Sequence, residues 1–211
     1  MLELQVIIGS TRDGRQADPV LRWLVPAVQA HPAFHAEVLD LRDWPLPFFK
    51  ETFATLGDPA NPTYSDPLVK RWNEKIRAGD AFLLVTPEYN HGPSGVLKNA
   101  IDSVFVSFGF RHKPVAFVGY SGGVGAGVRA VEQLNQVMLE TEAVPVRTQT
   151  LIPFVTAAFD AAGKPVNATL GVGLGVMLDD LAWLGKALKT ARAEGELPPP
   201  TVRMRAALAK R

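Results

Sequence analysis

The sequence predicts a doubly wound α/β sandwich with five parallel strands and helices on both faces. Three observations predict it. Short apolar runs alternate with stretches of helical periodicity along the first 150 residues. The first, third and fourth of those runs are continuously apolar, as strands covered on both faces are. The connections between runs are long enough to hold the helical crossovers that parallel pairing requires.

Residues 3–8 read as a buried strand. A helix follows over 18–30, with Asp18 as candidate N-cap and Pro19 at the first helical position. Its apolar set is Val20, Leu21, Leu24, Val25 and Val28. His35–Leu41 reads as the second strand. Residues 42–65 form a long loop with Pro45, Pro47, Pro59 and Pro62 among Trp44, Phe48, Phe49, Phe53 and Tyr64. Loops of that length are commonly functional or docked on a partner; pinning by its own aromatics is the equal alternative.

Asp66-Pro67 opens the next helix, with Leu68, Trp72 and Ile76 on one face. Asp80–Thr86 is the third strand. Residues 94–104 are a helix carrying Val96, Leu97, Ala100, Ile101 and Val104. Lys113–Gly119 is the fourth strand, 124–140 a helix opened by small residues, and Val144–Thr150 the fifth strand. Gly171, Gly173 and Gly175 predict a loop. Leu174–Ala193 is a long amphipathic helix through Met177, Leu178, Leu181, Leu184 and Leu188, stopping near Gly195. Pro198-Pro199-Pro200 and a short basic stretch follow. The expectation is one domain over 1–211, with about 174–211 packed on it or on a partner subunit.

An apolar fraction of 47% and a charged fraction of 20% are those of an ordinary globular protein. The net charge of +1 gives no field that would draw nucleic acid or an anionic membrane. Cysteine is absent, which removes disulfides, thiolate catalysis and cysteine metal sites. No run approaches the roughly 20 apolar residues of a membrane helix. The chain enters its first strand without the basic and apolar segments of a secretion signal. A cytoplasmic location is the expectation.

The chemistry lies in the loops after the strands. Gly9 and Gly14 are spaced as in a P-loop, but Arg15-Gln16 stand where Lys and Ser/Thr would be, so the Mg²⁺-holding hydroxyl is missing. What is left is a phosphate cradle: backbone N–H groups, the hydroxyls of Ser10 and Thr11, and the guanidinium groups of Arg12 and Arg15. The next helix adds its positive end, worth about 0.3–1 kcal/mol per favourable charge. An ordinary polar turn with surface arginines is the alternative. Gly123, Gly125 and Gly127 are spaced G-x-G-x-G, not G-x-G-x-x-G, which disfavours a dinucleotide-binding Rossmann half.

In the second loop, Thr86-Pro87-Glu88-Tyr89-Asn90-His91-Gly92, backbone groups and the Tyr89 ring offer a planar ligand flat and hydrogen-bonding surfaces. The third, Gly119-Tyr120-Ser121-Gly122-Gly123, lets backbone approach a ring closely. Gly119-x-Ser121-x-Gly123 matches the nucleophile-elbow spacing, yet no histidine follows Ser121, so an esterase is disfavoured. His91 is expected to structure its loop by a hydrogen bond, and His31, His35 and His112 to be surface or edge residues. No His/Asp/Glu cluster has metal-ligand spacing, and Lys210-Arg211 reads as a solvated end.

Two of these motifs resemble the NADPH-dependent FMN reductase family, a flavodoxin-like group that includes NAD(P)H:quinone, azo-dye and chromate reductases. They are Gly9-Ser10-Thr11-Arg12-x-Gly14-Arg15 and the run from Pro87-Glu88-Tyr89-Asn90-His91-Gly92 through Ser94-Gly95 to Leu97-Lys98-Asn99-Ala100-Ile101-Asp102. The resemblance covers about residues 3–150. It implies a flavodoxin-like three-layer sandwich with strand order 2-1-3-4-5, bound FMN, and NADPH or NADH as electron donor. It implies that Ser10, Arg12, Arg15 and Gln16 bind the FMN phosphate. Pro87, Glu88, Tyr89 and Asn90 would contact the isoalloxazine and ribityl chain, with Ser121, Gly122 and Gly123 as the third wall. It also implies a small-molecule electron acceptor and a homodimer or homotetramer, with 42–65 and the C-terminal helix as candidate contacts. No catalytic acid or base is named, because the flavin carries the chemistry.

Two other readings stand beside it. A flavodoxin-like electron carrier would share fold and FMN without NAD(P)H turnover, although such carriers are typically strongly acidic. A flavin-free α/β protein binding another phosphorylated ligand is the third.

Overall fold

The structure, a computed structural model, describes residues 1–58 and 61–209; Pro59 and Lys210-Arg211 lie outside the described residues. Its centre is a parallel sheet of β1 (Leu2–Ile8), β2 (Phe34–Asp40), β3 (Ala81–Pro87), β4 (Pro114–Tyr120), β5 (Val144–Pro145) and β6 (Thr150–Ile152). The order is β2-β1-β3-β4-β5, as expected. Every residue of β3 and β4 is buried, which is why their sequences are continuously apolar.

Successive side chains of the strands face opposite layers. On one face Leu4, Val6, Leu83 and Val118 pack with α1 (Ala17–Gln29) and α6 (Thr169–Glu194). On the other Ile7, Phe82, Leu84 and Phe117 meet α3 (Pro67–Ala78), α4 (Gly95–Asp102) and α5 (Val128–Glu140). Trp72, fully buried on α3, donates its indole N–H to the Ala100 carbonyl at 2.8 Å.

Several elements depart from the sequence reading. The fifth strand is two pieces: β5 pairs with Pro114 and Val115, and β6 with Val118 to Tyr120. Pro145 offers no N–H to the ladder, and the chain leaves the sheet until Thr150. Helix α1 begins at Ala17, so Asp18 lies inside its first turn and its carboxylate is taken by Arg15 instead of capping. Asp66 does cap α3, accepting from the Leu68 N–H at 2.7 Å, but the buried face is Val69, Trp72, Asn73 and Ile76, with Leu68 only half-buried.

The long loop contains a short helix, α2 (Phe53–Leu56), whose Leu56 is buried. Helix α5 starts at Val128, because Ala126 and Gly127 are left-handed. Gly171, Gly173 and Gly175 are helical, not a loop: α6 runs through them because Leu170, Leu174 and Met177 continue one stripe onto the sheet. The tail forms α7 (Pro200–Leu208). No helix among the described residues is long and apolar enough to cross a membrane.

A charged latch closes the amino edge of the sheet. Asp80 accepts from Lys189 Nζ at 2.6 Å, Arg192 Nη2 at 3.0 Å and the Glu3 N–H at 3.1 Å, tying α6 to the start of β3. Beside it Lys113 donates to the Ile76 and Arg77 carbonyls that end α3, at 3.2 and 2.8 Å. Burial, reinforced by Arg192, pushes the Lys113 ammonium down to about 7. An unfolded lysine titrates at roughly 10.4, so between these values the unfolded chain binds the extra proton and stability rises with pH. Urea unfolding of the wild type is expected to show a gain from pH 7 to pH 9, and Lys113→Met is expected to abolish most of that gain.

Candidate functional site

The strands are parallel and β1, β3 and β4 are neighbours, so their carboxyl ends release three loops at one edge. These are 9–16, 88–94 and 121–127. They enclose a cleft of about 190 Å³. The first loop gives it Arg12, Gly14, Arg15 and Gln16, the second Glu88 and Tyr89, the third Ser121 and Gly122; Pro87 and Tyr120 line it from the ends of β3 and β4, and Val155 closes one side.

Loop 9–16 is clamped from below. Arg15 is buried and places Nε on Asp18 at 2.7 Å, and Nη1 on Asp40 at 2.7 Å and on the Ser10 carbonyl. Its Nη2 completes a bidentate pair with Asp40. Burial by itself raises the Asp40 carboxyl; the hydrogen bonds from Arg15 and the Arg42 N–H outweigh it and hold that carboxyl below its ordinary range. Arg15 is thus a brace whose charge is answered by protein carboxylates. Arg12, by contrast, is exposed and sits over the Tyr89 ring at 5.4 Å. No carboxylate among the described residues pairs with it.

Ser10 is buried behind the cleft, with Oγ 2.8 Å from Tyr89 Oη. The loop is also fastened to α4: Ser94 Oγ donates to the Gly9 carbonyl and accepts from the Leu97 N–H at 3.3 Å. Ser94→Ala removes both, and is expected to lower the unfolding free energy by about 1 kcal/mol in urea titration.

The second loop is a tight turn. Tyr89 and Gly92 exchange backbone hydrogen bonds at 2.9 and 3.0 Å, and Asn90 and His91 take φ of 49° and 69°. Asn and His are among the residues that enter this left-handed backbone most readily, yet two in succession are uncommon, so something must hold the turn. Helix α5 does. Gln133 Nε2 donates to the His91 carbonyl, and Arg129 Nη1 lies 2.7 Å from His91 Nε2. A guanidinium can only donate, so the imidazole carries its proton on Nδ1. Arg129 also binds Glu88, through its guanidinium and through its backbone N–H at 3.2 Å. Burial raises Glu88, but the Arg129 contacts prevail and keep it below the usual carboxylate range. The Glu88 carboxylate is therefore committed to α5, while the residue itself lines the cleft with Pro87 and Tyr89.

In the third loop Ser121 Oγ donates to the Gly123 carbonyl at 2.9 Å, and its backbone is paired with Ile152 and Val155. A Cβ on Gly122 or Gly123 would meet nothing within 4 Å, so this wall is open to an approaching group. Gly127 is the opposite case: at φ 87° its Cβ would lie 2.4 Å from the Tyr120 nitrogen.

The sequence-derived residues thus converge, with distinctions. Eight of them line the cleft: Arg12, Arg15, Gln16, Pro87, Glu88, Tyr89, Ser121 and Gly122. Ser10 stands behind it, and Asn90 and Gly123 shape loops at its border. Tyr120 and Val155 were missed by the sequence reading. Tyr120 carried a usable signal, as the last residue of a continuous strand; Val155 did not, because it arrives through an irregular return after β6. Arg129 and Gln133 were invisible for the same reason, being long-range partners.

A family model described as NADPH-dependent FMN reductase matches residues 2–157. The NAD(P)H-dependent FMN reductase PA1204 of Pseudomonas aeruginosa is 35% identical over 161 residues, 75% of this chain and 81% of that protein. An FMN-dependent NADPH-azoreductase of Staphylococcus aureus is 33% identical over 121 residues, 56% of this chain and 60% of its own. Among solved structures, the flavoenzyme FerB, an NAD(P)H:(acceptor) oxidoreductase from Paracoccus denitrificans, superposes with a TM-score of 0.71 at 23% identity, covering 89% of this chain and 98% of its own.

Proposed function

The chain belongs to the NADPH-dependent FMN reductase family, and on that premise we propose that the carboxyl-edge cleft holds FMN and serves NAD(P)H and a small acceptor in turn. The protein is an oxidoreductase that uses FMN and NAD(P)H. When bound, FMN supplies the redox chemistry, taking two electrons from NAD(P)H and passing them on.

Their positions in the cleft support the following roles for this chain's own residues. Arg12, the Ser10 hydroxyl and the amides of loop 9–16 hold the phosphate, with Gln16 at the positive end of α1. Arg15 acts one layer back, fixing the loop through Asp40 and Asp18. The backbone of Pro87 to Asn90 and the Tyr89 ring flank the ribityl chain and flavin ring. Glu88 anchors that turn through Arg129. Ser121, Gly122 and Gly123 form the far wall, where the missing Cβ atoms leave room for a flat ring. The single observation that carries the reading is the exposed, unpaired Arg12 beside a donor-rich loop, opposite an open glycine wall.

Donor and acceptor alternate at the same open face in a ping-pong cycle, and the acceptor is a quinone, azo compound, metal oxyanion or flavin. The enzyme is cytoplasmic, one domain, and assembles with copies of itself. Exposed Phe48, Phe53, Val176 and Trp183, on the 42–65 loop and α6, supply the apolar surface for that assembly. The near-neutral net charge favours a reductase over an acidic carrier.

NADPH added without oxygen to the FMN-loaded protein is expected to bleach the flavin band within seconds, and catalytic NADPH oxidation should follow when a quinone is supplied. A bound flavin that stays oxidised would establish the carrier instead.

A further inference from the structure

Tyr120 ends β4 opposite Pro87, with its ring in the core layer that α1 covers. It is 3% exposed, and it lines the cleft. Its hydroxyl forms no well-aligned hydrogen bond among the described residues, although the Ser10 hydroxyl is close enough to act on its pKa. Buried polar groups are almost always paired, so an orphan phenol at a ligand cleft marks a missing acceptor.

Counting protons says what that acceptor is. Ser10 and Tyr89 share one hydrogen bond between two hydroxyls, which leaves one of their two protons to be donated elsewhere. Tyr120 adjoins the same Ser10 hydroxyl, and even when it donates there, three hydroxyls joined by two hydrogen bonds keep one proton to give elsewhere. Burial raises the Tyr120 phenol above its ordinary value, so the group is a donor at any working pH. The neighbouring carboxylates are already engaged, Asp18 with Arg15 and Glu88 with Arg129. Arg12 adds positive charge at the same loop. A surplus of O–H donors beside a guanidinium suits a group that only accepts and carries negative charge.

On the reading above, in which loop 9–16 holds the cofactor's phosphate, we infer that Tyr120 is a further cofactor-binding residue whose hydroxyl donates a hydrogen bond to that phosphate. The phenol is neutral in the empty site and in the filled one. It contributes direction and selection for the phosphorylated flavin, while Arg12 contributes charge.

The test is Tyr120→Phe, which keeps the ring and removes the oxygen. Full-length apoprotein is titrated with FMN and with riboflavin, which lacks the phosphate, and binding is read from flavin fluorescence. FMN is expected to bind about tenfold more weakly, with riboflavin unchanged. The apoprotein is expected to melt at the same temperature or slightly higher, because the variant has lost only an unpaired hydroxyl. Unchanged FMN binding overturns the assignment, as does an equal loss for both flavins, or a melting temperature several degrees lower. Arg12→Gln in the same two titrations separates the failures. If Arg12→Gln weakens FMN alone and Tyr120→Phe does not, Tyr120 is wrongly assigned. If neither variant discriminates FMN from riboflavin, the phosphate reading of the loop fails with it.

Discussion

Gly127→Ala is expected to destabilise the protein by about 3 kcal/mol or more, the largest effect of any single methyl group added at the cleft. The backbone there is at φ 87°, and the new Cβ would stand 2.4 Å from the Tyr120 nitrogen and 2.7 Å from the Gly119 carbonyl carbon. Those atoms are backbone, held in the β3–β4 ladder, so no side chain can swing aside. The turn that opens α5 would have to move, and with it Arg129, which grips Glu88 and His91. Urea unfolding measures the first consequence, and a weaker FMN complex is the second. Gly122→Ala is the matched control: its Cβ meets nothing within 4 Å, and stability is expected to stay within about 0.5 kcal/mol of wild type.

Asp40→Ala is expected to cost about 3 kcal/mol, because it strands the buried Arg15 guanidinium. Arg15 has a side chain only 4% exposed, and Asp40 takes both of its terminal nitrogens. Asp18 remains, but it reaches only Nε. With Asp40 gone the guanidinium pulls away from the Ser10 carbonyl, the loop loosens, and FMN affinity falls alongside stability. The combined Arg15→Met, Asp40→Leu variant is expected to regain much of the stability and little of the FMN affinity, since it removes the buried charge but not the need for a shaped loop. The pair also sets an acid limit. Asp40's folded carboxyl lies below its unfolded value, so its contribution is complete above the unfolded value of about 4 and is lost as pH falls through the folded one. Asp40→Ala should therefore flatten the stability curve below about pH 5, which urea midpoints across pH 3–7 would show.

Local chemistry was the legible part of this sequence. Apolar runs and crossover lengths point to the parallel doubly wound sheet, its order β2-β1-β3-β4-β5 came with the family resemblance, and Asp66 caps the helix it precedes. The convergence of three loops on one edge was legible too, because parallel strands leave no other arrangement. Three things were not. Asp18 looked like a cap because its type and its place before Pro19 fit, but Arg15 outcompetes the amides for its carboxylate. The glycines at 171, 173 and 175 argue for a loop by propensity, and the sheet overrides them by packing the stripe between them. In the site, sequence reading gave all arginines one role, whereas burial divides them: Arg15 faces carboxylates beneath the loop and Arg12 faces out over Tyr89. Partners far apart in sequence, such as Glu88 with Arg129 or Arg15 with Asp40, leave no local pattern to read.

The carboxyl-edge cleft is proposed to hold FMN. An absorption and fluorescence titration of the full chain with FMN tests it most directly, with the Arg12→Gln variant alongside. Saturable binding of one FMN per chain is expected, with a perturbed visible band and quenched fluorescence, and clearly weaker binding in Arg12→Gln. A flavin spectrum that stays that of free FMN, or an affinity untouched by the loss of Arg12, would contradict it.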